Sequence, residues 1–157
     1  MTRREWSFLM LGLAAGAVAT VAAQGTREVA QPARLASGVF AWNTIPVEKT
    51  ANGERRAVFD SETATVDRLE THITTLKEGL ASHAAHRHPD EELIFVREGV
   101  IEATINGVAH QAPAGSVIFY ASNDLHGMRN AGAGEASYFV LRWTSPGKEG
   151  PKPGGSR

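Results

Sequence analysis

The chain of 157 residues contains no cysteine. Disulfide bonds, thiolate ligands and a cysteine nucleophile are therefore excluded, so any metal ion must be bound through nitrogen or oxygen. Net charge is also nearly absent, because 16 Lys and Arg residues face 17 Asp and Glu residues and leave a formal charge of -1. A chain this close to neutrality has no electrostatic footprint for nucleic acid or an anionic membrane. The partner that we expect is a small molecule.

Long apolar runs are scarce too, and the one that matters lies at the N-terminus. Arg3 and Arg4 precede an Ala- and Gly-rich run over residues 8–23, which ends in small residues suited to a peptidase. This pattern predicts a signal peptide over residues 1–23, with twin-arginine export favoured over the general secretory route. The run is too short and too rich in glycine for a stable membrane anchor. We therefore expect an exported, periplasmic protein.

Composition divides the rest of the chain into three parts. Residues 24–38 are small and polar and predict a linker or N-terminal arm, whereas residues 145–157, rich in Pro, Gly and Lys, predict a disordered tail. The region between them, residues 39–144, has the length of one domain.

The apolar runs of this domain are each about as long as a strand and are separated by turn residues such as Asn106-Gly107, a strong hairpin signal. This pattern predicts an all-β, antiparallel sandwich or barrel. The strands are predicted at residues 56–59, 65–76, 93–96, 100–105, 108–111, 116–120, 126–130 and 137–143.

Residues 83–92 contain three histidines and three acids, side chains that a divalent ion binds: His83, His86, His88, Asp90, Glu91 and Glu92. His86 and His88 are two residues apart, so on a strand both imidazoles point to the same face. Pro89 is expected to end that strand, and one of the three acids can then fold back beside the histidines. His83 has the opposite parity and is expected to face away, at the surface.

The order of these residues resembles two motifs of the cupin superfamily, in particular small single-domain cupins of the Cupin_2, quercetin dioxygenase-like type. His86-Arg87-His88, Glu92 and Gly99 are similar to the first motif; Gly107, Pro113-Ala114-Gly115, His126 and Asn130 are similar to the second. The resemblance covers residues 79–130. It implies an antiparallel double-stranded β-helix, the jelly-roll or cupin barrel. It also implies that one divalent metal ion is bound by His86, His88, Glu92 and His126.

Three neutral imidazoles and one carboxylate leave two adjacent positions of an octahedral ion open for substrate or dioxygen. Fe or Mn is preferred, since a protein that folds before export acquires its metal in the cytoplasm; Ni, Co, Zn and Cu are not excluded. We expect a mononuclear metalloenzyme, dioxygenase-like, that acts on a small organic molecule. The alternatives are a non-redox isomerase, lyase or decarboxylase, or a non-catalytic periplasmic protein that binds a metal or a sugar.

Other polar residues are placed outside this site. Asp90 and Glu91 are expected to be exposed or to orient an imidazole, and Arg142 is assigned to the surface, with contact to a substrate carboxylate as the alternative. His72 and His110 are expected to face solvent or to form a hydrogen bond, so no general base is recognised apart from the ligand set.

The resemblance also implies a homodimer. In small cupins, two chains pair through a sheet face or through an exchanged N-terminal strand. Residues 39–47, which include Phe40 and Trp42, are expected to form either that exchanged strand or the first strand of the chain's own barrel.

Overall fold

The computed structural model describes residues 34–145, so the predicted signal peptide and most of the predicted arm and tail lie outside the described residues. Among these residues, one short 3-10 helix at Trp42–Thr44 precedes nine strands. The strands are β1 (Glu48–Thr50), β2 (Gly53–Ser61), β3 (Arg68–Leu76), β4 (Glu91–Glu98), β5 (Val100–Ile105), β6 (Val108–Pro113), β7 (Val117–Tyr120), β8 (His126–Asn130) and β9 (Ala136–Thr144). Over the same range no helix has the length and apolar character needed to cross a membrane.

The strands form two antiparallel sheets. One has six strands in the order β1-β2-β3-β9-β4-β7, and the other has three in the order β6-β5-β8. The core combines residues from both sheets, with Ile94 and Tyr138 from the larger one and Ile101 and Met128 from the smaller one. The predicted all-β jelly-roll fold is confirmed.

Strand β4 shows why the sequence adopts this fold. Its burial alternates, so that Glu92, Ile94 and Val96 are buried while Leu93 and Phe95 are exposed on the outer face. Side chains alternate across a strand, and the period of two therefore carries Glu92 into the same interior as the apolar core. The strand thus brings a carboxylate to the inside of the barrel.

Two turns depend on backbone conformations that the sequence supplies. Asn106 and Gly107 have φ values of 49° and 88°, the pair of positive angles that a type I′ hairpin turn requires, and they join β5 to β6. Gly99, between β4 and β5, has a φ of 77°, and a Cβ there would lie 2.7 Å from the Cβ of Ala136. Only glycine fits at this position.

Residues 39–47 do not form the expected first strand. Within this segment Trp42–Thr44 is a 3-10 helix, and the first strand begins at Glu48. The guanidinium groups of Arg56 and Arg97 lie over the Trp42 ring, 4.5 and 4.2 Å from its centre, and these cation–π contacts hold it against the barrel. Exchange of this segment between two chains stays a prediction.

Candidate metal centre

Two segments bring three histidines to one end of the barrel. His126 begins β8, and His86 and His88 lie in the connection between β3 and β4. The expected strand through His86 and His88 is absent: His86 forms a single bridge with His126, through two backbone hydrogen bonds of 2.9 and 3.0 Å. Beyond it the chain is fixed by loop contacts, since Asn123 donates its backbone N–H to the carbonyl of His88 at 2.8 Å. The histidines converge without a continuous ladder.

The three imidazole rings surround a common point. Their centroids are 5.1 Å apart for His86 and His88, and 4.7 Å apart for each of these rings and His126. One ring nitrogen from each residue lies within 4.8 Å of the others. Such a group of nitrogen donors could hold a metal ion.

Backbone hydrogen bonds decide which nitrogen faces this point. His88 Nδ1 is 3.1 Å from the carbonyl oxygen of Asp90, and His126 Nδ1 is 2.8 Å from that of Asp124. Because a carbonyl oxygen only accepts, each Nδ1 carries the proton, and each Nε2 keeps a lone pair when the ring is neutral. Both Nε2 atoms, and Nδ1 of His86, are buried without a hydrogen-bond partner among the described residues. These three nitrogen atoms are the ones that can bind a metal ion.

Glu92 lies beside the histidines and is only 8% exposed. Its carboxylate oxygens are 3.2 Å from Nε2 of His88 and 3.6 Å from Nε2 of His126. A lone pair that faces a carboxylate oxygen is repelled unless a cation shares the space. The donor set therefore fits a divalent ion, with Glu92 in place to supply its charge balance.

Burial sets the protonation states of the site. It lowers the pKa of His86 to about 4, helped by the neighbouring His83, and it also lowers the pKa of His126. Burial raises the pKa of Glu92, but a protonated His88 ring, which can donate to the carboxylate, and the charge of Arg142 outweigh it, so without a metal ion the net shift is downward. Neutral imidazoles and an ionised carboxylate are the forms that bind a metal.

Arg142 belongs to this site, contrary to its assignment to the surface, and Asp90 takes the second of its two expected roles, since its carbonyl orients the His88 imidazole. Arg142 stands directly across from Glu92 in the β4–β9 pairing, so both point inward. Its Nε lies 3.1 Å from Glu92 and its Nη2 lies 2.5 Å from Asp90. Asp90 is 7% exposed and is also bound by Arg68. Arg142 thus holds Glu92 beside the histidines. Glu91 lies outside this group and pairs with Trp143 across the β4–β9 ladder.

Tyr120 packs against one face of the His126 ring. The two rings stack with centroids 4.4 Å apart and planes 20° apart. The Tyr120 hydroxyl donates to the carbonyl of Gly127 at 3.1 Å, and burial raises the pKa of the phenol, which stays neutral. The ring of His126 is therefore fixed on one face by packing and at Nδ1 by its hydrogen bond.

The centre opens into a cavity of about 210 Å³, which His86, Glu92 and His126 help to line. His83 lines it as well, and its ring lies edge-on 4.4 Å from that of His86. His83 is exposed, as predicted, but it turns towards His86 instead of away from it, because strand parity does not apply to an irregular segment. His72 also lines the cavity, whereas His110 is exposed on β6, as expected.

A jelly-roll barrel with three converging histidines defines the class of this chain, a candidate metal-binding β-barrel. Residues 72–142 match the Cupin_2 family, described as a cupin domain. The match and the fold together support membership of the cupin superfamily, as the motif resemblance predicted. No curated protein matches the chain significantly.

Solved structures share the fold at low sequence identity. An RmlC-like cupin from Shewanella frigidimarina has a TM-score of 0.56 at 17% identity, over 71% of this chain and 95% of its own. A protein described as a predicted oxalate decarboxylase from Thermotoga maritima has a TM-score of 0.55 at 19% identity, over 68% and 99%. The polyketide cyclase RemF from Streptomyces resistomycificus has a TM-score of 0.56 at 16% identity, over 74% and 85%. These likenesses define the fold.

Proposed function

We propose that the protein is a mononuclear metal-dependent enzyme that acts on a compact organic molecule, with a dioxygenase-like reaction as the first candidate. The observation that carries the proposal is the group of buried imidazole nitrogens that have no hydrogen-bond partner within residues 34–145, beside Glu92 and at the wall of a cavity. The residues that would hold the ion are His86, His88, Glu92 and His126. When bound, such an ion supplies Lewis acidity and, if it is redox-active, the capacity to react with dioxygen.

Neighbouring residues of the chain orient the side chains that would bind the ion. The carbonyls of Asp90 and Asp124 fix the tautomers of two histidines, and Arg142 holds Glu92 in place. Orientation of this kind is a large part of what a protein contributes at a metal centre.

The size and lining of the cavity restrict the substrate. At about 210 Å³ it is smaller than the roughly 300–1,000 Å³ of sites for drug-sized ligands. Its walls combine apolar side chains such as Leu76 and Val140 with polar ones such as Thr74 and Ser82. A compact substrate with several oxygen atoms matches this lining.

A non-redox reaction is the second candidate, and His72 favours it. This histidine lies in the same cavity outside the predicted ligand set, where an acid–base residue is useful. The structural neighbours include a polyketide cyclase and a predicted oxalate decarboxylase, so this fold supports more than one chemistry. Turnover of a substrate in air but not under argon supports the dioxygenase-like reaction, whereas equal turnover supports an isomerase, lyase or decarboxylase. A non-catalytic binding protein retains its ligand stoichiometrically and releases no product.

Export to the periplasm and homodimer formation are part of the proposal. The outer face of β9, β4 and β7 is apolar, and Phe95 and Phe119 on it are 49% and 48% exposed. Exposed apolar faces of this kind are typical of interaction sites, and we propose a second copy of the chain as the occupant.

Elemental analysis of protein purified from its native compartment tests the metal assignment. We expect close to one equivalent of a transition metal in the wild type and a large loss in His126→Ala. His110→Ala is the matched control, because His110 is exposed and lies outside the cavity. Equal metal content in all three proteins contradicts the assignment.

A further inference from the structure

One imidazole of the cavity, that of His72, has a hydrogen-bonded environment of its own. His72, on β3, lines the cavity together with residues of the candidate metal centre, yet it is not among the predicted ligands. Its side chain is 16% exposed, and its Nδ1 lies 2.8 Å from Oε1 of Glu70.

Glu70 determines the orientation of this ring. It is only 4% exposed, and its Oε1 also accepts a hydrogen bond of 3.1 Å from Nη2 of Arg55, which lines the cavity. A carboxylate accepts the Nδ1 proton, so Nε2 of the neutral ring keeps the lone pair. Among the described residues the ring of His72 forms no other hydrogen bond. A buried carboxylate behind an imidazole whose second nitrogen is free is the arrangement of a positioned base.

The register of the sheet places His72 near the metal centre. Glu70 lies across from Arg142, which lies across from Glu92, so these three residues form one inward row over β3, β9 and β4. His72 is the next inward residue along β3. Strands about 4.8 Å apart and a rise of about 3.3 Å per residue put its Cα roughly 12 Å from that of Glu92. Both side chains extend into the space between them.

A compact molecule spans this gap. The cavity of about 210 Å³ lies below the roughly 300–1,000 Å³ of sites for drug-sized ligands, which suits a ligand of few non-hydrogen atoms. Arg142 lines the Glu92 end of the cavity, and its guanidinium has five N–H groups, more than its pairs with Asp90 and Glu92 use, so it can also donate to an oxygen atom. A small carbonyl compound contacts both ends of the cavity when its oxygen atom lies next to Arg142 and the adjacent carbon atom lies next to His72.

We propose that His72 is the general acid–base residue of this cavity, that Glu70 is its positioning residue, and that the substrate is a compact carbonyl compound with a C–H bond next to the carbonyl group. The Nε2 lone pair of His72 takes the proton, the C–H bond breaks, and its electron pair moves towards the carbonyl carbon while the oxygen gains the charge. Return of the proton completes an exchange without net oxidation. The inference rests on the proposed function in one respect, that substrate binds in this cavity.

Hydrogen–deuterium exchange tests the proposal without knowledge of the natural substrate. Pyruvate and dihydroxyacetone, both small enough for the cavity, are incubated in D2O with purified protein, and the loss of their C–H signals is followed by proton NMR. We expect the wild type to accelerate exchange of at least one probe, and His72→Gln to lower that rate by about 10²- to 10⁴-fold. His110→Gln, on the exposed face of β6, keeps the wild-type rate.

Glu70→Gln separates positioning from chemistry. We expect its rate constant to fall at least ten-fold while the apparent KM for the probe stays within two-fold, because Glu70 does not line the cavity. Nitrogen-15 NMR of the histidine ring is an independent measure, and we expect the proton of His72 on Nδ1.

Three results overturn the proposal: equal exchange by the wild type and His72→Gln, no acceleration of either probe by the wild type, or the His72 proton on Nε2. Metal content, measured on the same samples, separates this inference from the proposed metal function. Protein that holds one ion but shows no His72-dependent exchange contradicts the role of His72 alone. Metal-free protein with His72-dependent exchange contradicts the metal function alone.

Discussion

Asn130 is the side chain whose replacement should test the fold most sharply. It is fully buried at the end of β8, and its Nδ2 donates to the carbonyls of Leu76 at 3.1 Å and Gly134 at 2.7 Å. Its Oδ1 accepts from the backbone N–H of Gly132 at 3.0 Å. One amide therefore joins the end of β3, the end of β8 and the turn that leads into β9.

Asn130→Leu keeps the size of the side chain and removes all three hydrogen bonds. The carbonyl of Leu76 is left buried without this donor, which costs about 1–3 kcal/mol, and the two bonds to the more exposed turn contribute about 0.5–1.5 kcal/mol each. We therefore expect the free energy of unfolding to fall by about 4 kcal/mol. That is a large part of the roughly 5–15 kcal/mol that stabilises a domain.

Urea unfolding of metal-stripped protein in EDTA measures this change, since bound metal would add its own stabilisation. Gln111→Leu is the control, because Gln111 is exposed on β6 and its loss should change stability by no more than about 0.5 kcal/mol. A loss below about 1 kcal/mol in Asn130→Leu, at an unchanged m-value, would falsify the assigned role of the amide.

Asn130→Asp adds a dependence on pH. Burial and the two facing carbonyls raise the pKa of the introduced carboxyl in the folded state above its unfolded value of about 3.9. The protonated form, which can still donate, is therefore favoured by folding. The stability of this variant should be greatest below that unfolded pKa and should fall as pH rises through the folded pKa. A deficit relative to wild type that is equal at pH 4 and pH 8 contradicts this reasoning.

Three further outcomes follow from the site and the surface. Tyr120→Phe removes the hydroxyl that donates to the carbonyl of Gly127, and the free energy of unfolding in urea should fall by about 1–2 kcal/mol. Metal affinity should stay within two-fold of wild type, because the ring still stacks on His126. Glu92→Gln removes the charge of a predicted ligand and should weaken metal binding at least ten-fold by calorimetry; an unchanged affinity excludes Glu92 from the site. Phe119→Lys places a charge on the apolar outer face and should convert a dimer into a monomer in size-exclusion chromatography, whereas an unaltered elution volume argues against that face as the interface.

Local sequence signals predicted the features that depend on local structure. Short apolar runs between turn residues predicted the strands, and Asn106-Gly107 predicted the hairpin because both residues tolerate positive φ. The motif resemblance identified His126, which is 34 residues from Glu92 in sequence but lies 3.6 Å from it between side-chain atoms.

The remaining parts of the site depend on which residues face each other across strands. Arg142 stands opposite both Glu70 and Glu92, and no pattern within β9 carries this information. The role of His72 was missed for the same reason, since its partner Glu70 is ordinary in sequence and becomes informative only when it is buried. The surface position of His83 was predicted correctly but its direction was not, because strand parity was extended to a segment that is held by loop contacts.

The central claim is that His86, His88, Glu92 and His126 bind one divalent ion. Calorimetric titration of metal-stripped protein with Co²⁺ tests it directly, with His126→Ala and the exposed-histidine control His110→Ala titrated alongside. We predict one ion per chain for the wild type and His110→Ala, with affinity at least 100-fold weaker in His126→Ala. Equal affinity in all three proteins, or no binding to the wild type, contradicts the account.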